Sequence, residues 1–248
     1  MRAGNLYRTW AIATVGLLVS AVALTGCGSA KSKSAPPPDR GSATLGAGVA
    51  MPDEAAMLET LPAALAADGT TIVVGKSTAL TSISIYEDPR CPYCMKFERT
   101  VGPLLAQRVM QGTVKIKYTL ASFLDDRLGG TGSANAAAAA RAALDAGQFP
   151  LFHAILYANQ PVETEDGFTN QRLLDLASVL RGPRVPALNE AIKSHRYRDW
   201  ARKSQEAFTA AGKITTPTVL INDHIVTPDS VKYDSAAFTA RLDAATRG

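Results

Sequence analysis

Thr81-Ser82-Ile83-Ser84-Ile85-Tyr86-Glu87-Asp88-Pro89-Arg90-Cys91-Pro92-Tyr93-Cys94 is the stretch from which the rest of the chain can be read. Ile83, Ile85 and Tyr86 lie in a β-branched run with strand-like alternation, which Asp88 and Pro89 bring to an end. From Met95 to Val109 the pattern becomes that of an amphipathic helix. The two thiols therefore fall where a strand turns into a helix, with Cys91 as the helix cap. Unpaired N–H groups and the macrodipole at a helix N-terminus stabilise a thiolate on Cys91, and Cys94, one turn along the same face, lies within bonding reach. Arg90 and Lys96 add positive charge nearby. The spacing predicts a pair that closes to a disulfide and opens again at one exposed site.

Working outward, the chain of 248 residues carries only three cysteines, and the third, Cys27, has its own explanation. Arg2 and Arg8 make a positive start, Trp10 to Ala23 an apolar stretch, and Leu24-Thr25-Gly26-Cys27 closes it with small residues. This reads as a secretion signal. Its ending resembles a bacterial lipobox, which implies removal of residues 1–26 and lipidation of Cys27; the alternatives are a plain secretory signal or an uncleaved anchor. The apolar stretch is shorter than the roughly 20 residues a membrane-spanning helix needs. Removal of residues 1–26 would leave 24 basic against 22 acidic side chains, a net charge of +2. That balance identifies no partner, and no Lys/Arg cluster is interleaved with aromatics, so nucleic acid is not expected.

With Cys27 lipidated, Cys91 and Cys94 are the only free thiols, and they form either a catalytic centre, a single structural bridge or half of a metal site. Closing so short a loop restricts the unfolded chain by only about 2 kcal/mol, a small gain for a chain that can bury a large core. One C-x-x-C supplies two zinc ligands, and His153, His195 and His224 are scattered without ligand spacing. Redox activity is the favoured reading, with no metal and no organic cofactor; the three histidines are read as packing or surface residues.

Gly28 to about Val49 is rich in Ser, Ala, Gly, Pro and Lys, so residues 27–50 read as a flexible tether and residues 51–248 as a single domain. Thr71 to Val74 and Thr81 to Tyr86 are expected as two strands joined by a turn or a crossing. Thr113 to Leu120 is a third, Pro217 to Ile221 a fourth, and His224 to Val226 a short fifth after an Asn222-Asp223 turn. Ser235 to Thr246 closes the chain as a helix. The roughly 90 residues between the third and fourth strands, at about 122–212, look helical and too long for a loop. Ser133 is expected to cap an alanine-rich helix ending at Gly147, Pro150 to open a second, Thr169 to cap a third, and a long fourth to run from about Ala187 to Ala211. The class is α/β with a helical insertion between the third and fourth strands.

Three stretches together resemble the DsbA family of thioredoxin-like thiol–disulfide oxidoreductases, in its bacterial lipoprotein form. They are Tyr86 to Cys94; Gly147-Gln148-Phe149-Pro150-Leu151-Phe152-His153-Ala154-Ile155-Leu156-Tyr157-Ala158-Asn159-Gln160; and Gly212-Lys213-Ile214-Thr215-Thr216-Pro217-Thr218-Val219-Leu220-Ile221-Asn222. The resemblance implies a thioredoxin-like fold over Thr71 to Gly248, with Cys91 and Cys94 as the redox pair supported by Pro92 and Tyr93. It implies a cis Pro217 facing the pair, and a Thr216 backbone free to pair with an extended substrate segment. Where many thioredoxin-fold enzymes bury an acid six residues before the first cysteine, this chain has Ile85; Glu87 and Asp88 are expected nearer the surface, as a proton shuttle or as solvated turn residues. Pro92-Tyr93 is the dipeptide of glutaredoxins, and without an imidazole beside it Cys91 is expected to be less acidic than in a histidine-containing relative.

The activity implied is the extracytoplasmic donation of a disulfide to exported proteins with free thiols, followed by reoxidation through a membrane partner of the DsbB or VKOR type, near which a Cys27 lipid anchor would hold the enzyme. Two rivals share the sequence: a reductase or isomerase of the same fold, and a non-enzymatic peptide-binding lipoprotein with a structural disulfide.

Overall fold

The redox stretch enters the fold through a central strand whose burial follows its side-chain parity: Ile83 and Ile85 are fully buried, as parity requires of a strand with one face on the core. The computed structural model describes residues 44–45, 48–213 and 215–247; the expected leader, Cys27 and most of the tether lie outside them. In chain order the elements are β1 (Thr44–Leu45), β2 (Val49–Ala50), α1 (Ala55–Leu58), β3 (Ala63–Leu65), β4 (Ile72–Val74), β5 (Thr81–Glu87) and α2 (Pro92–Met110). There follow β6 (Val114–Leu120), α3 (Phe123–Leu128), α4 (Gly132–Ala146), α5 (Phe149–Ala158), α6 (Asn170–Ala177), α7 (Val185–Lys193) and α8 (Arg198–Ala210). β7 (Thr218–Ile221), β8 (His224–Ile225), a 3-10 turn over Asp229–Tyr233 and α9 (Ser235–Thr246) close the chain.

The main sheet has the order β3-β4-β6-β5-β7-β8. β5 and β6 run parallel, with Ile83 opposite Ile116 and Ile85 opposite Tyr118, and α2 is the crossover that parallel pairing demands. β7 adds antiparallel on the other side of β5, pairing Tyr86 with Thr218. β4 pairs with β6 rather than with β5, so its connection to β5 is a crossing and not a hairpin. Asn222 and Asp223 both adopt positive φ, 47° and 66°, the geometry of a tight two-residue hairpin. The arrangement is the expected α/β class: a thioredoxin-like sheet with α3 to α8 inserted between β6 and β7.

Four expectations are corrected. Val49 is buried and Ala50 exchanges two hydrogen bonds with the Asn159 side chain, each 2.8 Å, so these two residues, expected in a flexible tether, are packed and hydrogen-bonded. Ser133 does not cap α4. Thr131 holds that position, and the free N–H groups of the first turn are taken by carboxylates from elsewhere: Asp125 from Ser133 and Ala134, Asp166 from Gly132. The helix assigned to Thr169 does start there, its hydroxyl accepting from the Arg172 N–H, but ends at Ala177.

The single long helix is two. α7 buries Leu188, Ala191 and Ile192, whereas α8 buries Trp200, Ala201, Ser204 and Phe208. Continued at 3.6 residues per turn, the first stripe would pass positions 195 and 199, both exposed here. The stripes are out of phase, and the chain resets between them at His195, whose φ is 52°.

Candidate active site

β5 ends at Glu87, Asp88 to Arg90 make the turn, and α2 starts at Pro92, whose missing N–H costs nothing in a helix's first turn. That leaves Cys91 at the N-cap, with φ −72° and ψ 118°. Its carbonyl accepts from the N–H groups of Cys94 and Met95, both 3.1 Å, and its own N–H donates to the Asp88 carbonyl at 2.9 Å. Gln160 steadies the turn from outside, donating to the carbonyls of Pro89 (2.7 Å) and Cys91 (3.0 Å).

Across the gap, Thr216 and Pro217 lead into β7, and the bond between them is cis; a second cis bond, Thr227–Pro228, was not expected. The Cys91 thiol donates to the Thr216 carbonyl at 3.3 Å. Thr218 Oγ1 closes the loop on itself by donating to the Thr215 carbonyl at 2.7 Å, and Thr216 Oγ1 is buried without a partner.

Both thiols are free. Cys94 donates a hydrogen bond to the Cys91 sulfur, which with the N–H groups of the first helical turn lowers the Cys91 pKa to about 7, against the opposing pull of burial. Burial pushes Cys94 well above the usual thiol range. One sulfur is thus ready to ionise and the other is held protonated. The expectation of an exposed pair is corrected: Cys91 is 5% exposed and Cys94 0%, packed with Leu124 and Tyr157. The exposed group is the neighbouring Tyr93, at 60%.

Arg90 was expected to lend charge to the thiolate. It is instead buried and turned away, donating to Asp125 (3.0 Å) and to the carbonyls of Gly129 (2.8 Å) and Glu163 (3.0 Å), because a guanidinium in the interior needs acceptors for its donor fork. Lys96 lies over the Tyr233 ring, 4.9 Å from its centroid.

Glu87 and Asp88 are the main departure from the sequence reading. Neither is near the surface; both are 0% exposed. Asp88 accepts from Ser133 Oγ (2.6 Å), the Leu124 N–H (3.1 Å) and the Arg90 N–H (3.0 Å), and burial raises its pKa to about 6 in spite of these bonds. Glu87 points into the core beneath the cysteines, where burial pushes it well above the usual carboxylate range and the charges of Glu87 and Cys94 oppose one another. His153 Nε2 meets Glu87 Oε1 at 2.5 Å, and His153 Nδ1 is 4.0 Å from Glu98 Oε2. Burial disfavours the charged form of all three groups, lowering His153, raising Glu87 and raising Glu98 to about 8, so it favours a hydrogen bond between neutral groups at the His153–Glu87 contact. Glu87 Oε2, Glu98 Oε1 and the Tyr157 hydroxyl are buried without a hydrogen-bond partner among the described residues.

Glu87, Glu98 and His153 also offer ligand atoms within 4.8 Å of one another, close enough to hold a metal ion. They come from a strand and two helices, and no spacing in the chain signals them. His195 and His224 are exposed and far from this grouping in role, as expected for surface residues.

Comparison with known proteins places this geometry among relatives. The thioredoxin family model matches residues 67–240. The chain is 26% identical over 157 residues to disulfide bond formation protein D of Bacillus subtilis (strain 168), covering 62% of this chain and 68% of that protein. Its structure is similar to that of oxidised DsbA from Mycobacterium tuberculosis, with 28% identity, a TM-score of 0.58, and coverage of 76% of this chain and 93% of that one. It is also similar to the reduced disulfide bond oxidoreductase DsbG of the same organism, with 29% identity, a TM-score of 0.57 and coverage of 71% and 91%. BdbD of Bacillus subtilis, at 23% identity, a TM-score of 0.61 and coverage of 71% and 92%, shares the fold.

Proposed function

Because the chain belongs to the thioredoxin family, as a DsbA-like thiol–disulfide oxidoreductase, we propose that it oxidises exported proteins through Cys91 and Cys94. The observation that carries this reading is the division of labour between the two sulfurs: Cys91 at the helix N-terminus, lowered to about 7, and Cys94 behind it, held protonated by burial.

In the disulfide form a substrate thiolate attacks Cys91 Sγ, the Cys91–Cys94 bond breaks, and Cys94 leaves with the electron pair. A thiolate in so dry a place must take up a proton at once. Glu87 is the acid beneath it and supplies that proton; on reoxidation it takes the proton back. A second substrate thiol then displaces Cys91, releasing a disulfide and leaving the dithiol. The Thr216 carbonyl, 3.3 Å from Cys91 Sγ, is where an extended substrate segment would pair beside the sulfur.

Pro92 starts the helix and Tyr93 offers the exposed contact face of the site. The basic and apolar character of residues 1–26, with Cys27 directly after them, supports export and lipid anchoring, and an anchored oxidant would be renewed by a membrane partner of the DsbB or VKOR type. Among the described residues no helix is long and apolar enough to cross a membrane.

Equilibration of the purified chain with glutathione redox buffers tests the direction. A potential above the extracytoplasmic poise is expected; one well below it refutes the oxidase and favours a reductase. Unfolding midpoints of the two redox forms test the enzyme itself, since an oxidant is more stable as the dithiol, whereas a structural bridge is lost on reduction.

A further inference from the structure

Lys232 is a buried ammonium, 7% exposed, that nothing in the catalytic scheme uses. It lies in the 3-10 turn Asp229–Tyr233 and has two partners: the Pro217 carbonyl at 3.0 Å and Asp229 Oδ1 at 3.0 Å. Asp229 is largely exposed, so the partner that compensates the burial from within the protein is the prolyl carbonyl. That acceptor is one residue from the carbonyl that receives the Cys91 thiol.

Between the two carbonyls the backbone has almost no soft torsion. The Thr216–Pro217 peptide is held planar by resonance, and the pyrrolidine ring locks φ of Pro217. Only ψ of Pro217 is left, and Lys232 holds it. Orienting the Pro217 carbonyl therefore orients the Thr216 carbonyl opposite Cys91.

The next residue grips the other half of the site. The Tyr233 ring packs on Tyr93 with centroids 6.1 Å apart, and Lys96 covers the same ring. One five-residue turn thus touches the prolyl loop through Lys232 and the cysteine turn through Tyr233.

We propose that Lys232 is a positioning residue for substrate pairing: with Tyr233 it clamps the Thr216–Pro217 loop to the Cys91–Cys94 turn, so that the Thr216 backbone is presented to a peptide at a set distance from the reacting sulfur. This rests on the oxidoreductase reading above. In the disulfide form Cys91 carries no thiol to donate to the Thr216 carbonyl, so there the clamp acts on peptide alignment, and substrates with and without a backbone separate its effect from a general loss of structure.

Lys232→Met keeps the stem's length and removes the donor. The full chain in its disulfide form is to be reacted with a cysteine-containing peptide and with 2-mercaptoethanol. In Lys232→Met the peptide's kcat/KM falls about tenfold, mainly through KM, as loss of a charge-assisted hydrogen bond implies, while the small thiol reacts within about twofold of the parent. Lys232→Arg, which retains a cationic donor, recovers most of the peptide rate. Equal losses for both thiols, or loss for neither, overturn the proposal.

Hydrogen exchange at the Thr218 amide, which shares a peptide unit with the Pro217 carbonyl, reads the clamp without any turnover. Faster exchange in Lys232→Met supports the clamp even in a chain that oxidises no peptide, an outcome that would sink only the enzymatic reading. Unchanged exchange overturns the clamp.

Discussion

Replacement of Glu98 by glutamine should make the reduced protein more stable in alkaline solution and leave it nearly unchanged in acid. Burial raises the Glu98 pKa from its ordinary 4.5 to about 8. The folded chain then keeps a proton there that the unfolded chain releases, so between about pH 4.5 and pH 8 the unfolded state binds fewer protons and stability falls as pH rises. At 1.36 kcal/mol per pKa unit, the full effect is bounded by about 5 kcal/mol. Glu87 lies in the same network and takes up part of the proton, so roughly 2–5 kcal/mol is expected. Glutamine fits the same volume, keeps a donor toward Glu87 and does not titrate. Asp88 and Glu87 remain in both proteins, so their own pH dependence largely cancels in the difference. Urea unfolding under reducing conditions, followed by far-UV circular dichroism from about pH 5 to about pH 9, measures that difference. Parent and variant should agree within about 1 kcal/mol at the acid end and diverge steadily in favour of the variant through neutrality. A stability difference that stays constant across the range refutes a protonated, buried Glu98, and with it the neutral hydrogen-bonded network described for Glu87 and His153.

Three other variants test the same geometry. Cys94→Ala removes the largest influence lowering Cys91, so the pH midpoint of Cys91 alkylation should rise from about 7 toward the roughly 8.5 of a free cysteine; an unchanged midpoint would assign the acidity to the helix N-terminus alone. Arg90→Met leaves Asp125 and two carbonyls without their buried donor and should cost about 3–5 kcal/mol by urea unfolding. The same variant should leave the Cys91 alkylation profile where it was, because the guanidinium faces away from the sulfur; a shifted profile would restore its electrostatic role. Cys94→Ser in the native host should accumulate mixed disulfides between Cys91 and exported proteins, and recovery of none by diagonal electrophoresis argues against turnover.

What could be read in advance was local. The Cys91–Cys94 turn, the Asn222-Asp223 hairpin and the start of α6 at Thr169 each depend on a few adjacent residues with strong conformational preferences, and each lies where those preferences put it. Strand order depends on pairing across the chain, and three-residue β4 carries no mark that it belongs beside β6. The break between α7 and α8 has a subtler cause. Ser194 to Tyr197 contains neither proline nor glycine, and only the phase of the buried positions on either side distinguishes one helix from two. Arg90 was misplaced and Lys232 drew no reading at all, because a cation is by default a solvated group and the carbonyls that draw them inside come from distant loops.

The buried acids were within reach of the same rules that found the cysteines. Extending the alternation of Ile83 and Ile85 by one more step puts Glu87 on the core face of β5, and β5 does include it. Counting from Cys94 along α2, Phe97, Glu98, Val101 and Leu105 fall at i+3, i+4, i+7 and i+11, so Glu98 lies in the middle of the buried stripe. A carboxylate on a core face is costly unless it is paired or neutral, and two of them arriving on the same core beside a buried thiol mark a candidate site of proton exchange. Ile85 stands where many thioredoxin-fold enzymes bury an acid, and Glu87 lies two residues later on the same face of the same strand, which is why the proposed scheme gives it the proton. Periodicity can point to such a site. It cannot reveal that His153, on α5, reaches both carboxyl groups, because that contact exists only once the insertion has packed against the sheet.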